Sequence, residues 1–198
     1  MSAENTQLAA DPLGHVVQFY ADDAELADRV ASYLADGLRR GDGAIMLVTT
    51  EHRSGIARKL TVQGIDVARS QQQGDLAVLD AGELLNRFLI GGRVDPADFE
   101  QQVGGVVRRV AAGGRPVRIY GEMVAVLWAA GLMSAAVELE ILWNELRAFV
   151  PFDLLCGYPA RYFGGDEHAD ALEEMCSLHS GVTGAASLSA ARPGRDGA

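Results

Sequence analysis

Cysteine is scarce in this 198-residue chain. The two present, Cys156 and Cys176, give no CxxC and no metal-ligand spacing, and a reducing cytoplasm is their simplest home. Basic charge is scarce as well. Seventeen Lys and Arg against 27 Asp and Glu leave a formal net charge of -10 and a pI near 4.8. Phosphate recognition needs clustered Lys and Arg. The pairs Arg39-Arg40 and Arg108-Arg109 read instead as solvated helix ends, so nucleic acid is excluded as a direct partner. Long hydrophobic runs are missing too. The longest, Met123 to Met133, falls far short of the roughly 20 residues that cross a bilayer. The N-terminus has neither a basic n-region nor an apolar h-region. A cytoplasmic protein without membrane contact is the expectation.

Catalytic signatures are equally absent. A phosphate-binding loop needs Gly-x-x-x-x-Gly-Lys-Ser/Thr, so that backbone amides and a Lys hold the phosphates. The turn after the first strand is Phe19-Tyr20-Ala21-Asp22-Asp23-Ala24, free of Gly and Lys and acidic enough to repel a triphosphate. No GxGxxG follows a strand, and there is no GxSxG elbow, HExxH or EF-hand pattern. Cys156 could be a nucleophile, but no His with an evident base role accompanies it. Nothing asks for catalysis or for a cofactor.

What is present is a hydrophobic content of 48%, ample for one α/β domain. Residues 1–13 read as a loose lead-in. Residues 181–198, rich in Ala, Ser, Gly and Arg, read as a flexible tail. Between them strands and helices alternate. Strands are expected at Val16–Tyr20, Ala44–Thr49, Ile65–Val67, Leu76–Asp80, Val117–Tyr120 (with Gly121 a turn) and Asp153–Pro159. Helices are expected from Asp22, capped with Glu25 three residues on, to Gly41, and from Glu51 to Gln63, with Ser70–Gly74 a polar link. A short helix follows over Leu84–Ile90, then one opened by Asp95-Pro96, two after Glu122, and a last one over Asp166–His179. This order gives a mostly parallel central sheet with helices on both faces. In the helix over Ser134–Phe149, at about 100° per residue, Ala135, Leu139, Leu142, Trp143, Leu146 and Phe149 form one apolar stripe. Val137, Ile141 and Ala148 form a second. Glu140, Asn144 and Arg147 lie between them at the spacing of an intrahelical network.

Open α/β sheets bind ligands beyond the carboxyl ends of their strands, so the residues there are the site candidates. These are Tyr20, Thr49, Thr50, His52, Asp80, Tyr120, Glu122, Cys156 and Tyr158, with His15 before the first strand. Each also has a plainer reading. Tyr20 and Tyr158 serve as well as rim or core aromatics, Thr50 and Glu51 as helix caps, His52 as a surface residue, and His15 as a strand terminator. Glu122 is the exception. A carboxylate between an apolar strand and an apolar helix costs several kcal/mol if desolvated and unpaired. It must meet backbone amides at a helix start, an Arg, or a polar pocket. Trp128 or Trp143 beside Tyr120, Glu122 and Asn144 would line a largely apolar crevice.

A set of segments carries a family resemblance. They are His15-Val16-Val17-Gln18-Phe19-Tyr20, Gly41-Asp42-Gly43-Ala44-Ile45 leading to Thr49-Thr50-Glu51-His52, and Gly74-Asp75-Leu76 with Leu79-Asp80-Ala81. Tyr120-Gly121-Glu122-Met123-Val124 with Leu127-Trp128, Leu139 to Leu146, and Leu154-Leu155-Cys156-Gly157-Tyr158-Pro159 complete the set. Together they resemble the MEDS domain, the methanogen/methylotroph sensory domain, over about residues 14–163. The resemblance implies a sensory module related to the RecA/KaiC type of fold without working ATPase machinery. Such modules occur in bacterial and archaeal regulators, including a dichloromethane-responsive repressor and sensor histidine kinases, and are proposed to sense small hydrocarbon derivatives. His15, Tyr20, His52, Glu122, Trp143, Asn144 and Cys156 match the family's characteristic positions. No helix-turn-helix or kinase segment accompanies them here. The expected protein is therefore a stand-alone, non-enzymatic sensor that binds a small apolar ligand. It would relay to a histidine kinase, anti-sigma factor or transcription regulator, and a homodimer is compatible with this. The alternatives are a ligand-free adaptor in a kinase or anti-sigma pathway, a degenerate nucleotide binder, and a thiol enzyme using Cys156.

Overall fold

The computed structural model describes residues 14–163 and 169–184. Its centre is a six-stranded, wholly parallel sheet in the order β3-β2-β6-β7-β1-β8. The strands are β1 (His15–Tyr20), β2 (Gly43–Val48), β3 (Leu76–Asp80), β6 (Val117–Gly121), β7 (Asp153–Pro159) and β8 (Gly181–Thr183). The inner strands are buried along their lengths, as continuous apolar runs covered on both faces must be. Helices α1 (Asp23–Arg40) and α2 (Thr50–Val62) pack on the face that carries Val16, Tyr20, Met46 and Tyr120. The other face carries Val17, Phe19, Ile119, Cys156 and Tyr158. It is covered by α4 (Ala81–Leu85), α6 (Gly105–Val110), α7 (Met123–Ala129), α8 (Met133–Phe149) and α9 (Ala169–Ser177).

Local chemistry sets the helix starts. Asp22 accepts from the amides of Ala24 and Glu25 (both 2.8 Å) to open α1. Gly41, in the left-handed region at φ 87°, closes it, where a side chain would be strained. Asp80 likewise opens α4 by accepting from Glu83 N.

Several expected elements are corrected. Ile65–Val67 is not a strand. Asp66 accepts from Arg69 N, and this cap starts the short helix α3 (Val67–Gln72) where a polar link was expected. The expected helix over Leu84–Ile90 ends at Leu85. Leu89–Ile90 (β4) pairs with Arg93–Val94 (β5) in an antiparallel hairpin, whose Gly91 and Gly92 both take positive φ. The helix opened by Asp95 begins as α5 (Pro96–Phe99) and passes through a π turn, Glu100–Gly104, into α6. Gly181–Thr183, expected to open a flexible tail, is the edge strand β8. Residues 1–13, 164–168 and 185–198, which include the expected lead-in, the expected start of the last helix and most of the expected tail, lie outside the described residues.

The sheet has a topological switch point. From β2 the chain leaves through α2 toward β3 at one edge. From neighbouring β6 it leaves through α7 and α8 toward β7 on the other side. The two connections also depart to opposite faces, which parts the chain beyond the carboxyl ends of β2 and β6. This is where a sheet of this type forms a ligand crevice.

Candidate functional site

The polar residues gather in two clusters on opposite faces of the sheet, not on one edge. The first sits at the switch point and is built around Glu122. The residue is 2% exposed and precedes α7 without capping it. Its carboxylate turns across to the start of α2 instead. Oε2 accepts from Thr49 N and from Thr49 Oγ1, both at 2.8 Å. Oε1 accepts from the Tyr120 hydroxyl at 2.8 Å and lies 2.7 Å from His52 Nδ1. The helix-start amide and three polar side chains offset the desolvation of the anion. Arg118 does not serve it. That guanidinium donates to Tyr33 O and lies over the Tyr33 ring.

His52 extends the cluster toward solvent. Its Nε2 lies 3.4 Å from Asp23 Oδ1, and its ring meets Tyr20 edge-on with centroids 5.9 Å apart. The hydrogen bond to Glu122 raises the imidazole above its ordinary value against a smaller lowering by burial. Burial, reinforced by Glu122, raises the Tyr20 and Tyr120 hydroxyls, which stay protonated. Thr50 Oγ1 donates to Asp80, so this pair ties two helix starts together and stays out of the cluster.

The second cluster lies under α8 on the other face. His15, Glu140, Cys156 and His179 meet there with side chains essentially excluded from solvent. His15 Nε2 stands 3.0 Å from Glu140 Oε2 and 3.4 Å from Cys156 Sγ. His179 Nε2 is 3.5 Å from Glu140 Oε1. Tyr158 donates a hydrogen bond to Glu140 Oε1. Asn144 Oδ1 lies 3.0 Å from His15 Nδ1, while its amide group donates to Leu178 O. Burial alone would raise the Glu140 carboxyl, but His15, His179 and Tyr158 outweigh it and hold it below the ordinary carboxylate range. Burial and the Glu140 charge push the Cys156 thiol and the Tyr158 hydroxyl well up. Burial lowers His179. A raised thiol is the opposite of the activated thiolate that a nucleophilic cysteine needs.

Thus Tyr20, Thr49, His52, Tyr120 and Glu122 come together, and so do His15, Asn144, Cys156 and Tyr158. The tryptophans join neither. Trp143 is 2% exposed and packs edge-on against Phe99 and Phe152. Trp128 donates to Tyr162 O and stacks on Phe163. The expected intrahelical network of Glu140, Asn144 and Arg147 is replaced by contacts to other elements, with Arg147 donating to Phe152 O. Sequence reasoning missed Asp23, Glu140 and His179 as site residues. The Asp22-Asp23 doublet was a visible signal for the first. Nothing local marks His179, whose partners come from β1, β7 and α8.

A six-stranded parallel sheet with helices on both faces and a buried acid–imidazole cluster at its switch point defines the class, an open α/β domain. The family described as MEDS, "MEthanogen/methylotroph, DcmR Sensory domain", matches residues 14–180, and the chain belongs to that family. Its role is accordingly sensory or signalling. No curated protein matches the chain significantly. Among the described residues no helix is long and apolar enough to cross a membrane.

Proposed function

We propose that this domain binds a small hydrocarbon derivative at the switch point beyond the carboxyl ends of β2 and β6, without catalysis, and relays its occupancy to a separate signalling protein. The observation that carries this reading is the bridge from Glu122 to Thr49 and His52, which spans the switch point and couples α2 to the start of α7. A ligand that hydrogen-bonds to His52 or Tyr20 competes for this bridge and alters how α2 is held. Ligands switch proteins only through such differential contacts between two states. The turn after β1 supports the same reading over a nucleotide site. The amides at the start of α1 are already capped by Asp22, leaving a phosphate no cradle and a carboxylate to repel it.

The test is an NMR titration of isotope-labelled protein with methanol, dichloromethane and ATP as separate probes. Saturable shifts at Tyr20, Thr49, His52 and Glu122 with a one-carbon compound, abolished in Glu122→Gln, are expected. Tight ATP binding at this switch point, or one-carbon shifts that persist in Glu122→Gln, would overturn the reading.

One further observation favours a docking role as a second reading. Ile141 is 41% exposed on α8, and Ala148 on the same stripe is exposed as well. That stripe offers an apolar surface to a partner protein.

A further inference from the structure

We propose that His15 Nε2, Glu140, Cys156 Sγ and His179 Nε2 form a four-ligand site for a zinc-class divalent ion, independent of the Glu122 cluster at the sheet rim. One donor atom from each residue can be chosen so that all four lie within 4.8 Å of one another. In a tetrahedral zinc site with bonds of about 2.0–2.3 Å, donor atoms stand roughly 3.3–3.6 Å apart. His15 Nε2 stands 3.4 Å from Cys156 Sγ and, slightly closer than that range, 3.0 Å from Glu140 Oε2, while His179 Nε2 lies 3.5 Å from the other oxygen of the same carboxylate. Two imidazoles, a thiolate and a carboxylate are the ligands that this borderline ion favours.

The unmet hydrogen bonding makes the case stronger. Glu140 Oε2 and His179 Nε2 are buried, and neither has a hydrogen-bond partner of acceptable geometry among the described residues. Native interiors rarely leave such atoms unmatched. The outer contacts also orient the donors inward. Asn144 donates its amide N–H to Leu178 O, so its oxygen faces His15 Nδ1 and accepts from it. His179 Nδ1 donates to Met175 O at 2.7 Å. With Nδ1 donating in each ring, a neutral imidazole places its lone pair on Nε2, pointed at the cluster. Tyr158 occupies Glu140 Oε1 and leaves Oε2 for the ion. Such second contacts accompany metal-binding histidines and carboxylates. Cys156 would bind as the thiolate, with its proton released to solvent. Four protein ligands close the coordination shell, which marks a structural ion over a catalytic one. It would join β1, β7 and α8 to the segment between α9 and β8.

Metal analysis of the purified full chain, followed by cobalt(II) titration of metal-free protein, tests this. One ion per chain and a tetrahedral cobalt spectrum with a thiolate charge-transfer band are expected. Cys156→Ser should remove that band, and Asn144→Ala should weaken affinity about 10–100-fold. Glu122→Gln, in the other cluster, should keep the full metal content whether or not the rim binds a ligand. Where a variant fails to fold, the wild-type cobalt spectrum decides. Folded wild-type protein without stoichiometric metal and without a charge-transfer band would leave only a His15–Glu140 ion pair and overturn the proposal.

Discussion

At the scale of single residues, Glu122 is the side chain on which most depends. It accepts from the Thr49 amide, the Thr49 hydroxyl and the Tyr120 hydroxyl, and it pairs with His52. Glu122→Gln keeps the size but loses the charge. A hydrogen bond to a charged group is worth about 1.5–3 kcal/mol, so urea denaturation should show a loss of that order. His52 gives the same pair a pH signature. Its folded pKa lies above the unfolded value of about 6.5. Its contribution to stability is thus fully present below about pH 6.5 and is lost as pH rises through the folded pKa. His179, lowered by burial, has the opposite sign. It favours the fold above that range and opposes it as pH falls. Comparing melting temperatures across pH for wild type and His52→Gln isolates the first effect. The variant should lose the decline toward alkaline pH, and an unchanged difference would mean that the pair does not form. Gly157 offers a steric test on the same network. A Cβ there would stand 2.4 Å from the Tyr120 hydroxyl and 3.1 Å from its ring. Gly157→Ala should displace the ring from Glu122 and cost about 1–3 kcal/mol, read as a lower urea midpoint.

At the scale of elements, α8 separates packing from display. Trp143 lies in the core against Phe99 and Phe152. Trp143→Ala should cost about 3–5 kcal/mol. Ile141→Ser on the outer side should fall within about 0.5 kcal/mol of wild type. If Ile141→Ser matched the tryptophan loss, the outer stripe would belong to the core. The contrast also shows what could be read in advance. β1, β2, β6 and β7 were legible because each is a short apolar run between turn signals, and Ala135, Leu139, Trp143 and Leu146 of the α8 stripe were legible from its period, whereas Phe149, expected to share it, is 84% exposed at the helix end. α3 was misread because Ile65-Asp66-Val67 has strand composition while the Asp66 cap decides the outcome. The Glu122 cluster was legible in kind, since a carboxylate at a strand end must be satisfied. Its partners were not, because they depend on β2 lying beside β6. The split into two faces was half visible. Cys156 and Tyr158 are two apart on one strand and must share a face, but nothing in the sequence places His15 or His179 beside them.

At the scale of the whole molecule, the least expected feature is that the sheet closes on a strand with almost no apolar content. β8 pairs with β1 through Val16–Gly181, Val17–Val182 and Gln18–Thr183. The single O–H of Thr183 faces two acceptors, Val17 O at 3.0 Å and Gln18 Oε1 at 2.7 Å. Val182 and Thr183 are themselves strand formers, but three residues beginning with glycine are too short a signal, and pairing with β1 decides the outcome. Without β8, β1 would be an edge strand, with the main-chain groups of a buried apolar run open to another chain. A version ending at Ser180 keeps His179 and its ring contact with His15 and removes β8 together with residues 184–198. Analytical ultracentrifugation of this truncation against the full chain should show concentration-dependent self-association that the full chain lacks, with a lower melting temperature. Thr183→Val should give a milder form of the same loss, because it removes the hydroxyl donor but keeps the ladder. A truncated chain that matches the full one in both sedimentation and melting would show that β1 needs no cover, and that the sheet is complete at five strands.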